Sequence, residues 1–536
     1  MNLIDDAWIP IERRSGTRMT IPPHEVVSDF HEDPVVRLSF GRPDWDLAVS
    51  EWLIGILAVA LHPRSDEDWA ETWLLPPTSD DLQRAFSGLT PAFNLFGSGA
   101  ACYQDFETLD DGRVWPAAQL YFDAPGDQTL KNNAAVFQRR AEGGLDPSDA
   151  AAALIAHQAF ATSAGKGHRT SLRGGGPLVT LLELPCPINR PKLLHGTSTL
   201  WDKLWPNVSN VAEEPTLDDR LFPWMGPTRT STDGEEVRPE TDAHQLMAFF
   251  ATPRRIRLME GADGMVHSCR RVTYGANYAG WRHPLSPYYL PAGGGEPLPV
   301  HPRTGARATY RDWLGVTIGT PGQGDLRALP LRAAPSRLDT ARRLSGDDLH
   351  INAIVVAQGY DCEKATINDW LFQQIPFFPL TGDRLTAFTS RASAAGSAAS
   401  IAQNAVRLAR YGQRDPSDPS RFNFAKNKPA HLLSEIGLGV WTDTEADFSR
   451  HLAQLATFEP SPDAEALVSA QQSFSNCLRR AVRRQFREAV GIARVEDASP
   501  QRLAAAARFL EHQLGDESRF ARTFEKTRTD EQEVPT

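Results

Sequence analysis

Near residue 380 the chain changes character, and that change limits its architecture more than any other feature. Pro376-Phe-Phe-Pro379-Leu-Thr-Gly-Asp closes a stretch rich in proline, glycine and aromatics, and four helical segments follow, at about 383–412, 428–457, 462–493 and 499–515. Proline-rich joints separate them: Asp415-Pro-Ser-Asp-Pro419, Pro460-Ser-Pro462 and Asp497-Ala-Ser-Pro500. Ser461 and Ser499 each precede a proline, the order that suits an N-cap followed by the first helical position. Long helices with short joints predict an antiparallel four-helix bundle over 380–521. The stretch 522–536 is charged and poor in apolar residues, which predicts a disordered tail.

Residues 1–379 read as a large, irregular mixed α/β domain, so the fold class is α+β. Asn2 to Pro10 alternates apolar and polar and runs into Arg13-Arg14-Ser15-Gly16, a strand and turn. Asp44 to Leu61 has helical apolar spacing. Ser79 to Phe86 is a second helix with Ser79 as N-cap, and Ala150 to Ala161 is a third. A glycine-rich segment, Gly165 to Gly176, leads into a strand at Leu178-Val-Thr-Leu-Leu, and Arg255 to Met259 is another strand. Gln358 to Ala365 reads as a polar turn between a strand, Asn352 to Val356, and a helix carrying Trp370. Between about 185 and 345 long loops dominate, and such loops are usually functional or held by partners.

Length and composition narrow the function classes. A chain of 536 residues allows three or four domains, or one large irregular domain plus a smaller one. The longest apolar run, Trp52 to Leu61, falls short of the roughly 20 residues that span a bilayer, so no membrane role is expected. The start, Met-Asn-Leu-Ile-Asp-Asp, has no secretory pattern, so the expected location is cytoplasmic. Five cysteines stand singly with no C-x-x-C pair, and His267-x-Cys269 is the one close His/Cys pair. Neither a disulfide framework nor a metal site is expected, and no cofactor.

The net charge of −11 is unusual for a nucleic-acid binder, but the charge is unevenly distributed. Residues 131–175 hold six Lys/Arg against three acids, and 251–312 hold nine arginines against four. An acidic chain with basic islands binds a polyanion poorly alone and better when partners present it.

Ser163-Ala164-Gly165-Lys166-Gly167-His168-Arg169 opens a loop whose glycines allow close backbone approach and whose amides can cradle an anion. It is not a P-loop, because Lys166 is followed by glycine. The alternative is an ordinary flexible connection. From Arg270 and Arg271 to Tyr289, basic residues interleave with aromatics, the vocabulary of nucleic-acid surfaces and equally of aromatic cores. Lys364-Ala365 is a tip able to push into a duplex. In the third late helix Arg479, Arg480, Arg483, Arg484 and Arg487 share one face, either solvated or tracking a phosphate backbone; Arg480, Arg484 and Arg487 are the candidates for tracking. H-E-x-x-H, G-x-S-x-G and Walker patterns are absent from the sequence, so no catalytic residue is assigned and no enzyme is expected.

Three stretches carry a family resemblance: Asn2-Leu-Ile-Asp-Asp-Ala-Trp8-Ile-Pro10, Ser171-Leu-Arg173-Gly-Gly-Gly-Pro177, and Tyr274-Gly-Ala-Asn-Tyr278 with Trp281-Arg-His-Pro284-Leu-Ser-Pro287. The chain resembles the CasA family, the large subunit of the type I-E CRISPR Cascade surveillance complex. The resemblance implies recognition of the protospacer-adjacent motif from the minor groove of double-stranded target DNA, a start to strand separation, and recruitment of the helicase-nuclease in antiviral defence. It implies other Cascade subunits as partners, and guide RNA as an indirect one. It puts the family's glycine loop on Ser163, Ala164, Gly165, Lys166 and Gly167, with Arg169 beside it, and the basic finger on Arg270 or Arg271. It puts the wedge on Lys364 and Ala365, and a further DNA loop on Asn132, Asn133 and Phe137. Only Cys269 remains of the cysteine cluster that some members carry, so no zinc site is transferred. A phosphate-substrate enzyme and a purely scaffolding subunit are the competing readings.

Overall fold

Pro43–Leu61 is apolar on nearly every side rather than along one stripe, so the helix it forms must be enclosed. In the computed structural model of the chain Trp45, Leu47, Trp52, Leu53, Ile56 and Leu57 are all buried. The structure describes residues 1–97, 99–124, 144–184, 198–232, 234–239, 241–302, 309–319, 324–345, 353–363, 366–411, 413–415, 418–423, 437–492 and 500–529. The chain divides into two units, one of 1–302 and 326–377, the other of 303–325 and 378–536.

The first unit contains helices α1 (Pro43–Leu61), α2 (Asp66–Leu74), α3 (Ser79–Phe86), α4 (Pro147–Ala159) and α5 (Leu200–Leu204). The second begins with α6 (Tyr310–Thr317), and the first unit resumes with α7 (Leu329–Ser345). Strands β1 (Ile9–Arg13), β2 (Arg18–Ile21) and β3 (Val35–Leu38) form a sheet in the order β2-β1-β3. With β4 (Arg113–Pro116), β5 (Val179–Glu183), β6 (Arg255–Glu260) and β7 (Val266–Val272), a second sheet has the order β4-β7-β6. Strands β8 (Tyr288–Tyr289) and β9 (Leu298–Pro299) pair with each other. A third sheet, β11-β10-β5, adds β10 (Ile354–Glu363) and β11 (Thr366–Pro376). Neighbouring strands in these sheets run antiparallel.

An aromatic chain forms the core of this unit: Trp8 meets Trp52 at 5.3 Å between ring centroids, Trp52 meets Phe93 at 5.9 Å, and Phe93 meets Trp224 at 5.6 Å, each edge to face. The N-terminal motif thus serves the core. Its Trp8 indole donates to the Leu3 carbonyl at 2.8 Å, and the first strand starts at Ile9 rather than at Asn2. Helix α3 has the expected span, but its cap is Thr78 and not Ser79. Thr78 Oγ accepts from the Asp81 amide at 3.2 Å, and Asp81 returns the bond to the Thr78 amide at 3.1 Å.

The largest local departure lies at 354–376. Where a turn and a helix carrying Trp370 were expected, one long hairpin pairs Ile354 with Pro376 and Glu363 with Thr366. Ile367, Trp370, Leu371 and Ile375 have spacings that suit a helix, yet β-branched and aromatic residues on a strand partner outweigh that local signal. Gly359 lies inside the pairing, where an added Cβ would stand 2.4 Å from the Pro177 carbonyl oxygen.

The second unit gathers α9 (Leu438–Thr457), α10 (Ala464–Ile492), α11 (Pro500–Gln513) and α12 (Arg519–Thr529) on the long α8 (Gly382–Tyr411). Tyr310 of α6 stacks on Phe448 at 4.0 Å, and Phe474 of α10 packs against Phe448. Strands β12 (Gln413–Asp415) and β13 (Asp418–Asn423) pair where a plain joint was expected. Asp463, not Ser461, caps α10, accepting from the Ala466 amide at 3.0 Å; Ser499 lies outside the described residues. The stretch expected as a tail from residue 522 is helical to Thr529, because Phe520 and Phe524 bury one turn apart and give it an apolar face. Residues 530–536 lie outside the described residues.

One half-buried carboxylate gives a pH prediction. Asp46, in the first turn of α1, accepts from the Phe40 amide at 3.0 Å, yet burial pushes its carboxyl up to about 6. The folded state therefore holds a proton between about pH 4 and 6 that the unfolded chain has released, so this group's contribution to stability falls as pH rises through that window. Asp46→Asn keeps the acceptor without the charge. It is expected to gain roughly 1–3 kcal/mol at pH 7.5 and to flatten the pH 4–6 slope, read from urea midpoints. A variant less stable than the parent at pH 7.5 would contradict this.

Candidate nucleic-acid interface

After α4 the chain leaves the core at Thr162 and returns at Ser171, whose amide donates to the Ala161 carbonyl at 2.9 Å and closes the base of a loop. Its far limb is tied to the end of β7, where the Tyr274 amide donates to the Gly167 carbonyl at 2.7 Å. Gly167 has φ +77°, and a Cβ there would stand 2.9 Å from Thr273 Cβ, so only glycine fits. Gly165, at φ +94°, faces open space. Ser163, Ala164, Gly165 and Lys166 are exposed along the crest, and Lys166 makes no hydrogen bond or ion pair with a described residue. Arg169 is half-buried and spent on structure. Its Nε donates to Ser231 Oγ at 2.7 Å, and Ser231 in turn donates to the Gly275 carbonyl at 2.8 Å.

The motif that follows is interior. Arg173 and Glu51 are each 3% exposed and pair at 2.5 Å, with Arg173 Nη1 also 3.0 Å from His283 Nδ1 and 3.2 Å from Ser286 Oγ. Burial raises the Glu51 carboxyl, against the pull of Arg173.

Strand alternation separates the two candidate finger residues. Arg270 lies opposite Val114 and Arg257, whereas Arg271 lies opposite Arg113 and Ile256, on the other face of the sheet. Arg270 ion-pairs with Asp110. Arg271 turns inward, half-buried: one N–H reaches His157 Nε2 at 3.3 Å, and the guanidinium lies 5.3 Å from the Trp115 ring centroid. His157 Nδ1 is 3.2 Å from the Leu120 carbonyl, which can only accept, so Nδ1 carries the proton and Nε2 is free to accept from Arg271. Burial, then Arg271 and Arg254, hold that imidazole well below its usual value.

Arg254, which the sequence offered only as one of several arginines in a basic stretch, completes the cluster. It is 6% exposed, and its Nη2 donates to the Thr162 carbonyl at the root of the glycine loop. Burial first, then Arg271, push it down to about 10. The root of the loop that carries Lys166 is therefore held by a positive group.

The aromatic stretch is chiefly structural. Trp281 donates to the Val237 carbonyl at 2.9 Å, the Tyr278 hydroxyl accepts from the Thr252 amide at 2.9 Å, and the Tyr288 hydroxyl accepts from the His283 amide at 2.7 Å. In the helical unit the arginine stripe is tied down: Arg483 pairs with Glu511 at 2.8 Å, Arg479 with Asp516 at 2.9 Å, and Arg484 with Asp443. Arg480 Nη2 lies 3.0 Å from Cys477 Sγ, and Arg487 Nε donates to the Arg483 carbonyl at 3.2 Å. It is not a free cationic face. Asn132, Asn133, Phe137, Lys364 and Ala365 lie outside the described residues. Cys269 is buried and its thiol is pushed up to about 11, while His267 engages Asp263 at 2.8 Å. Among the described residues no three His, Cys, Asp or Glu side chains group to hold a metal, and no single helix is long and apolar enough to cross a membrane.

A profile of the family described as CRISPR-associated protein Cse1 matches residues 2–511. The chain belongs to that family. CasA of Thermus thermophilus, a protein also called Cse1, shares its fold with a TM-score of 0.68 at 19% identity, over 98% of this chain and 99% of that one. Cse1 of Thermobifida fusca gives 0.64 at 20% identity, over 98% of each chain. A chain of a CRISPR RNA-guided surveillance complex gives 0.60 at 14% identity, over 91% of this chain and 99% of that one. The CasA resemblance is borne out, and the mixed α/β architecture with small antiparallel sheets is that of Cse1 structures. In this Cse1 chain the three motifs that carried the resemblance place Trp8, Arg173, Trp281 and His283 in the core, so what identified the family is mostly what folds it.

Proposed function

We propose that this Cse1-family chain is the DNA-reading large subunit of a type I-E Cascade complex, with no catalysis of its own. The observation that carries the reading is the glycine-shaped crest, exposed over 163–166 and anchored at both limbs, whose Lys166 has no partner among the described residues and whose root is held by the buried Arg254. A crest without bulky side chains suits the minor groove, whose pattern separates chiefly A·T from G·C, and so suits recognition of a short protospacer-adjacent motif. Sequence fidelity then rests with guide-RNA pairing, contributed by the other Cascade subunits. Lys364 and Ala365 assist unstacking, which costs a few kcal/mol per step. We further read α8 to α11 as an antiparallel four-helix bundle that supports DNA strands, with Arg480, Arg484 and Arg487 releasing their internal partners to reach phosphates. Recruitment of the helicase-nuclease and a cytoplasmic location complete the reading.

The test is binding of motif-bearing duplex by the assembled complex with Lys166→Ala. Affinity is expected to fall about 10-fold at low salt, and the slope of log K against log salt to shrink by about 0.9, one phosphate contact. Binding and salt slope both unchanged would overturn the assignment.

A further inference from the structure

We propose that Arg254 and Arg271 form, beneath the glycine loop, a seat for a single tetrahedral oxyanion, a phosphate group. The seat itself stands on the geometry below; only its natural ligand, a backbone phosphate, rests on the DNA-reading function.

Arg254 is buried, and among the described residues two of its donors, Nε and Nη1, have no hydrogen-bond partner, while its Nη2 donates to the Thr162 carbonyl. A guanidinium does not discharge itself by losing a proton near neutral pH, and burying an uncompensated one costs several kcal/mol. The described neighbours deepen the deficit. Arg254 immediately precedes Arg255, which pairs with Val272 next to Arg271, so the two guanidiniums act on each other as like charges. His157 offers Arg271 only a neutral acceptor. No carboxylate among the described residues bonds to either arginine. An anion brings what this cluster lacks, a negative charge with acceptor oxygens facing several directions, which suits phosphate better than a flat carboxylate.

Access and shape agree. Arg271 and Gly167 are half-buried rather than enclosed, so the seat is approached from the Arg271 side, with the Arg254 donors sealed beneath the loop. Gly165 and Gly167 hold positive φ on either side of Lys166, a backbone form that turns successive amides toward an anion. The arrangement places a charged floor under a loop whose crest is already shaped to approach a polyanion.

The experiment compares melting of the purified full chain in phosphate and in chloride at equal ionic strength. Phosphate at ~20 mM is expected to raise Tm by roughly 2 °C or more, and Arg254→Met to abolish that difference. If Arg254→Met does not fold, Arg271→Gln at the half-buried position is expected to give the same loss. No phosphate-specific shift in the parent, or an undiminished shift in the variant that folds, would overturn the seat. The source is assigned with the assembled complex and duplexes carrying single neutral methylphosphonate linkages. One linkage that weakens binding about 10-fold in the parent but not in Arg254→Met identifies a backbone phosphate. An intact phosphate shift with no such linkage identifies free phosphate as the ligand, and the seat still stands. Normal duplex binding without a phosphate shift removes the seat alone, whereas a parent complex that ignores motif-bearing duplex removes the DNA-reading function alone.

Discussion

Arg173→Met is expected to destabilise the chain by about 3–5 kcal/mol, the cost of breaking a buried ion pair from one side. The side chain spans α1 and the 283–286 turn, pairing with Glu51 at 2.5 Å and reaching His283 and Ser286. Methionine fills similar space, so the loss reports charge and hydrogen bonds rather than a cavity. Glu51, already raised by burial, then loses the one group that favours its ionised form and takes up a proton. With its folded-state pKa raised further above the unfolded value, the penalty grows as pH rises, so the variant should be closer to the parent at pH 5 than at pH 8. Arg173→Met with Glu51→Leu should recover most of the loss, since an apolar pair of similar volume often replaces a buried ion pair at little cost. Urea midpoints at both pH values decide it, and a single variant within about 1 kcal/mol of the parent at pH 8 would refute the structural role.

Gly167→Val should weaken duplex binding by the assembled complex about 10-fold while leaving the salt slope as it was, because it removes shape and no charge. Valine at φ +77° is strained, and its Cβ would meet Thr273 Cβ at 2.9 Å. The limb must lift, and the Tyr274-to-Gly167 bond that sets the crest is lost. Lys166→Ala does the converse, removing a charge and lowering the slope. If the valine variant bound like the parent, the crest would act through charge alone and the minor-groove fit would fail.

The residues of this chain show how far local signals reach. Helix α1 was legible because nineteen residues, Pro43–Leu61, carry an unbroken apolar spacing, and β5 because a β-branched, leucine-rich run follows a glycine segment. The hairpin 354–376 was not legible. Its second strand has spacings compatible with a helix, and only pairing with β10 makes it a strand. Phe524 likewise read as part of a charged tail until a neighbouring helix gives it a face to bury against. At the site, glycines at 165 and 167 marked the loop correctly, since positive φ is a property one residue type announces. Arg254 left no such mark, because its meaning depends on Thr162, Arg271 and His157, which are distant from it in sequence.

By itself, then, the sequence determined the family, the helical stretch that follows residue 380, and the glycine loop with Lys166 at its crest, all of them consequences of residue type and short-range order. Only the tertiary structure decided what each arginine does. Arg173 goes to the core, Arg270 to Asp110, Arg271 and Arg254 to the floor of the loop, and Arg484 to Asp443. A guanidinium is the same group at every position. Strand alternation and the partners that long-range folding brings within about 3 Å determine whether it staples, supports or waits for an anion.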